Sequence, residues 1–208
     1  MNMFKSNFWL VVRWVAATVG GVAGIAALSW FSGAFYLAVM SVVGLVPLAA
    51  VLGAVVGALQ ALVLRRRAGG ALRWVAWTTL GTSTGLTLAG VLLFRIHDSV
   101  LQPVRWPLVL AVAGGMIGLC QWVALRAHAR PSMLWVPFSV AGGATVGCAI
   151  ACVPPDPGSW LWAIPVGVAL GATIKGSALA RLLPPPAVAL APTSRRRPAS
   201  IYRSPART

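Results

Sequence analysis

A chain of 208 residues that is 59% hydrophobic and only 9% charged cannot cover a water-facing surface, since a soluble domain carries about 25% charged residues. Its 17 basic residues face two acids, Asp98 and Asp156, and no glutamate, which excludes paired-carboxylate catalysis within a membrane. The net charge of +15 gathers at the ends of apolar stretches, so it reads as orientation and attraction to anionic headgroups and not as a nucleic-acid surface.

Taken in chain order, apolar windows long enough to cross a bilayer predict six helices, at about 10–31, 38–64, 74–94, 107–125, 134–153 and 160–182. Lys5 ahead of the first apolar run has the look of a secretory signal. Against that, Arg13-Trp14-Val15-Ala16 recurs as Arg73-Trp74-Val75-Ala76 at the start of the third window, so the first helix belongs to the fold. Pro47 and Pro165 are candidate helix breaks. The expected fold class is therefore all-α and integral to the membrane, with residues 1–183 as one six-helix domain. Residues 184–208, rich in Pro, Ser and Arg, hold too little apolar surface to offset their ordering entropy and read as a disordered basic tail.

Basic residues set the expected orientation. Arg65, Arg66, Arg67, Arg73, Arg126 and Arg130 share one side with both termini, while Arg95 and Arg105 lie on the other with both acids. The positive-inside rule then puts the amino and carboxyl termini in the cytoplasm. Arg65, Arg66 and Arg67, with Arg195, Arg196 and Arg197 of the tail, are the candidates for contact with anionic headgroups or a partner.

Two segments spell G-x-x-x-G-x-x-Q-x-x-x-L-R about sixty residues apart: Gly53, Gly57, Gln60 and then Gly114, Gly118, Gln121. The odd-numbered helices carry W-x-x-x-[S/T]-x-x-G, as Trp14/Thr18/Gly21, Trp74/Thr78/Gly81 and Trp135/Ser139/Gly142, with a partial echo in Trp160/Gly167/Gly171. The period predicts three helical hairpins of about 60 residues. At about 100° per residue, each set of positions lines one helical stripe. Membrane helices associate by close backbone packing and interhelical hydrogen bonds, so the glycines read as close-approach sites and the glutamines as adhesive. Cys120 falls off the stripe of Gly114 and Gly118.

Tandem GxxxGxxQWxxLR units, each followed by a tryptophan-led, glycine-rich helix, resemble a group of small multi-pass bacterial membrane proteins, found in cyanobacteria and other phototrophic or filamentous lineages. The likeness covers roughly residues 10–183 and departs at Ala61, where the group carries the tryptophan that Trp122 keeps. It implies the six-helix repeat architecture and a bacterial inner (cytoplasmic) membrane, and brings no activity with it.

Candidate chemistry is sparse. Cys120, Cys148 and Cys152 form no C-x-x-C pair, His97-Asp98 lacks further ligands, and neither histidine falls within a span, so no metal site, cofactor or catalytic residue is expected. Lys175 is the one ionisable residue set within a span, where an ionisable group is a functional-site hypothesis by default. It either snorkels to the inner interface beside Arg181 or reaches inward between hairpins. The expected function is non-catalytic: a subunit, scaffold or assembly factor that meets a membrane-protein partner. The alternative is a small transporter or channel with a path between the hairpins.

Overall fold

The computed structural model describes residues 3–31, 42–65, 70–96, 102–126, 132–154 and 157–183. The described residues are helical: α1 (Met3–Phe31), α2 (Val42–Leu64), α3 (Ala71–Arg95), α4 (Gln102–Leu125), α5 (Trp135–Ala151, after a 3-10 turn at Ser132–Leu134) and α6 (Pro157–Leu182). Residues 38–41 of the expected second span, the His97-Asp98 pair, Arg66, Arg67, His128, Asp156 and the whole of 184–208, with Arg195, Arg196 and Arg197, lie outside the described residues. The expected breaks at Pro47 and Pro165 do not occur, and α2 and α6 run through them, as α4 runs through Pro107.

Five of the helices are long and apolar enough to cross a membrane: α1, α2, α4, α5 and α6. In each of those spans under half of the residues are buried, and large apolar side chains such as Trp162 (77% exposed) and Phe94 point outward. Water would penalise so much outward apolar surface, whereas lipid does not. The sixth, α3, falls below that hydropathy because it is rich in threonine. Four of its six hydroxyls are spoken for internally: those of Thr79, Thr82, Ser83 and Thr84 donate to the carbonyls four residues back, while Thr87 Oγ1 has no partner among the described residues. Such back-bonding hides the polarity from the surroundings.

Each helix packs on the next in sequence, and α1 also packs on α6, closing a six-membered ring. Close approach is concentrated at glycines. A Cβ at Gly53 would lie 2.8 Å from Thr79 Cα, one at Gly81 2.9 Å from Ile117 Cα, and one at Gly171 2.5 Å from the Gly142 carbonyl. Between α4 and α5 the backbones are closest, since a Cβ at Gly143 would collide with the Leu110 carbonyl and one at Gly147 with that of Trp106. Gly70, at φ 84°, takes the left-handed turn that starts α3, where an L side chain would be strained. Arg73 in the next turn donates to the Val123 carbonyl at 2.9 Å, near the C-terminal end of the neighbouring α4, where a cation is favoured.

The main apolar cluster sits at the end of the ring where α2 and α4 stop. It holds Trp14, Trp74 and Trp135 together with Leu64, Leu125 and Leu179. A smaller cluster around Ala89, Val109 and Ala113 fills the opposite end.

Candidate functional site: the tryptophan–glutamine centre

Three tryptophans from three different helices meet inside the ring. Trp14 (α1), Trp74 (α3) and Trp135 (α5) are each at most 5% exposed. Their ring centroids lie 5.8–6.3 Å apart and every pair is edge to face, the arrangement that the ring quadrupole favours by about 0.5–1.5 kcal/mol per pair. No sequence pattern announces this convergence. Each tryptophan reads as the lead residue of its own helix stripe, and only the closure of the ring turns the three toward one another.

Around them runs a hydrogen-bonded girdle. Trp135 Nε1 donates to Gln121 Oε1 at 3.1 Å, and Trp74 Nε1 donates to Gln60 Oε1 at 3.3 Å. Gln121 Nε2 donates in turn to Thr78 Oγ1 at 3.2 Å and to Gln60 Oε1 at 3.4 Å. Gln60 Nε2 donates to Thr18 Oγ1 at 3.0 Å, and that hydroxyl donates to the Trp14 carbonyl. Each glutamine thus joins a hydroxyl on the helix before it to an indole on the helix after it. Gln60 and Gln121 are 4% and 2% exposed, so these bonds offset a desolvation that would otherwise cost several kcal/mol (about 2–7 for an amide).

The girdle stops at α5 and α1. Ser139 stands on α5 four residues after Trp135, as Thr78 stands after Trp74, and Trp14 is the remaining indole. Both are 0% exposed, and Ser139 Oγ and Trp14 Nε1 have no hydrogen-bond partner among the described residues. A third glutamine on α6 would serve both.

Helix contacts show what occupies that place. A Cβ at Gly21 would meet Val56 Cα, at Gly81 Ile117 Cα, and at Gly142 the Gly171 carbonyl. Gly85 likewise approaches Ala113, and Gly167 approaches Val146, four residues beyond Gly142. Val56, Ile117 and Gly171 are therefore equivalent in register, and one turn on from each stand Gln60, Gln121 and Lys175. Leu64, Leu125 and Leu179 follow four residues later, each at most 2% exposed. Lys175 holds the glutamine position of α6. Its stem lies against α5: a Cβ at Gly142 would be 3.0 Å from Lys175 Cε and 3.5 Å from Cγ.

Other residues of the repeated motifs lie around this centre. Gly57 and Gly118 sit where their helices cross Thr78 and Ser139, and a Cβ would lie 3.1 Å from Thr78 Cβ and 2.5 Å from Ser139 Cβ respectively. Gly114 abuts the Ser139 carbonyl. Two details differ from the stripe reading. Cys120 lies off the stripe of Gly114 and Gly118, yet it faces α3, its Cβ 2.9 Å from where a Cβ at Gly81 would stand. An inner helix of a ring has two packed faces, so leaving one stripe means entering another. The glycines of the Trp160/Gly167/Gly171 echo, moreover, do not pack as those of an odd-numbered helix; Gly167 and Gly171 meet Val146 and Gly142, as Ala113 and Ile117 of α4 meet Gly85 and Gly81. Arg65 is exposed just past the end of α2. Among the described residues no group of His, Cys, Asp or Glu is placed to hold a metal ion.

Comparison with protein-family models, with curated proteins and with solved structures finds no match to this chain.

Proposed function

We propose that the chain is a six-span membrane protein of three pseudo-repeated helical hairpins that serves, without catalysis, as a subunit, scaffold or assembly factor of a membrane complex. The observation that carries this reading is the tryptophan centre. Three interlocked indoles fill one end of the ring, and the glutamines around them spend their hydrogen bonds on the protein itself. A conduit or a catalytic pocket keeps polar groups free for a substrate; here most are consumed in holding helices together.

In this reading α3 is the sixth span. At 25 residues it is long enough for a hydrocarbon core of about 30 Å at about 1.5 Å per residue, and its back-bonded hydroxyls lower the cost of insertion. The basic residues orient both termini to the cytoplasm, in a bacterial inner membrane. Arg65, Arg66 and Arg67 and the tail arginines Arg195, Arg196 and Arg197 then meet anionic headgroups or the partner. The repeat reading draws support from the matching contacts of Gly21, Gly81 and Gly142 and from the two matching glutamine bridges.

Transport is the competing reading, and Lys175 is what favours it. Purification in mild detergent with mass spectrometry of co-eluting proteins, paired with solute flux in liposomes, separates the two. A stoichiometric partner supports the assembly role; a lone protein that moves a solute overturns it.

A further inference from the structure

The geometry points to a binding site for a single monovalent anion at the third position of the girdle, formed by the buried Ser139 and Trp14 and the half-buried Lys175 and taking either a halide or the phosphodiester of a membrane lipid. At the first two positions a glutamine supplies one acceptor and one donor: its Oε1 accepts from an indole and its Nε2 donates to a hydroxyl. At the third the register brings a lysine, whose ammonium only donates. The indole N–H of Trp14 keeps its proton with nowhere to place it, and Ser139 Oγ is equally without a partner among the described residues. An indole, a hydroxyl and an ammonium from three helices thus stand in equivalent positions, and the acceptor that the other two copies offer the indole is missing.

Charge selects the kind of acceptor. Lys175 makes no ion pair or hydrogen bond among the described residues, and the only acids of the chain, Asp98 and Asp156, fall in sequence between α3 and α4 and between α5 and α6, far from Lys175 along the chain. A positive charge inside a bundle needs a counter-charge, a backbone carbonyl or water. Water can accept from Trp14 and Ser139 but cancels no charge. A monovalent anion does both, receiving the indole N–H, the hydroxyl and the ammonium at once. A dianion would leave a net buried charge, which limits the class to chloride-like ions and phosphodiesters. Gly176, next to Lys175, lies where a Cβ would be 3.2 Å from Trp14 Cδ1, the ring atom bonded to Nε1, and 3.3 Å from Val11 Cγ1. The site therefore lies against the α1–α6 seam, the one contact of the ring not made by helices adjacent in sequence. This site is independent of the assembly role, since it needs no protein partner.

The test uses the full chain, purified and delipidated in mild detergent, with thermal unfolding followed in sodium gluconate, in sodium chloride at equal ionic strength, and in gluconate with added phosphatidylglycerol. Chloride, phosphatidylglycerol or both are expected to raise the Tm of the wild type by about 5 °C at saturation; the arm that responds names the source. Lys175→Gln, which restores the missing acceptor and donor, is expected to lose that dependence while unfolding no earlier than wild type in gluconate. Trp14→Phe keeps the aromatic packing, removes one donor and should weaken the apparent affinity about tenfold. A wild-type Tm identical in all three media overturns the site, as an unoccupied or water-filled pocket, or a neutral lysine accepting from Trp14, would give that result. So does an equal anion response in wild type, Lys175→Gln and Trp14→Phe, which assigns the effect to the surface arginines.

Discussion

Trp14 and Trp135 meet edge to face with their ring centroids 5.8 Å apart, yet among the described residues only Trp135 finds an acceptor for its indole proton. The same side chain in the same packing carries a different burden at the two positions. That asymmetry makes the centre open to dissection by substitution.

Phenylalanine tells the two apart. Trp135→Phe removes apolar area and also strands Gln121 Oε1, whereas Trp14→Phe removes area and a proton that no described residue accepts. In gluconate without chloride or phosphatidylglycerol, Trp135→Phe should destabilise by about 1 kcal/mol more than Trp14→Phe, the net worth of one hydrogen bond. Thermal or denaturant unfolding of the two variants measures the difference, and equal losses would show that the indole bond contributes nothing.

Removing a glutamine should be costly only to the extent that membrane hydrogen bonds are. Gln121→Leu deletes the bonds to Trp135, Thr78 and Gln60, and is expected to cost about 1–2 kcal/mol. Gln60→Leu, which deletes the bonds to Trp74 and Thr18 and that from Gln121, should cost a similar amount. Because both belong to one network, the double variant should lose less than the sum of the two single losses. Strict additivity in an unfolding cycle would mean that the two bridges act separately.

Glycine substitutions divide by neighbourhood. Gly143→Ala and Gly147→Ala drive a methyl into backbone carbonyls of α4 and should sharply reduce folded yield. Gly20→Ala and Gly24→Ala meet nothing within 4 Å and should be neutral or slightly stabilising. Cys120→Leu, which adds bulk opposite Gly81, belongs with the damaging group. Size-exclusion profiles of the solubilised variants rank them, and a damaged Gly24→Ala beside a healthy Gly143→Ala would invert the helix packing.

Orientation is testable with single cysteines in a background free of Cys120, Cys148 and Cys152. Ser99→Cys and Ser159→Cys should react with a membrane-impermeant maleimide on intact cells. Arg67→Cys and Ser194→Cys should react only after permeabilisation. Reaction at both Arg67→Cys and Ser99→Cys from outside would remove α3 from the membrane.

How much of this was legible in the letters depends on the residue. Gly53, Gly57, Gly114 and Gly118 announce close approach because helical spacing is local and a glycine stripe has few other uses in lipid. Gln60 and Gln121 are legible as interhelical adhesive for the same reason. Their joint attachment to Trp74 and Trp135 is not, since it requires knowing which helices become neighbours. Lys175 stands out in sequence as a charge in a span. Its equivalence to the glutamines stays hidden because α6 keeps neither glycine of the motif, Val168 and Ala172 standing in their places, nor its arginine, replaced by Ala180, and only the contacts of Gly167 and Gly171 restore the register. The surroundings of Cys120 escape the stripe argument because that argument follows one face of a helix that packs on two.

The seam between α1 and α6 has a bearing on how the protein is made. Trp14 leaves the ribosome with the first of the six helices, but the helix that walls its pocket is made after the other five. Until α6 arrives, the first helix sits beside α2 with one flank facing acyl chains, its core tryptophan not yet enclosed. Ring closure thus waits for α6 and joins it to α1, and a nascent protein halted before Pro157 would be an open arc whose free edges are α1 and α5. Any factor that guards membrane proteins during biogenesis would find its client here in that arc, and would lose its grip when the circle shuts.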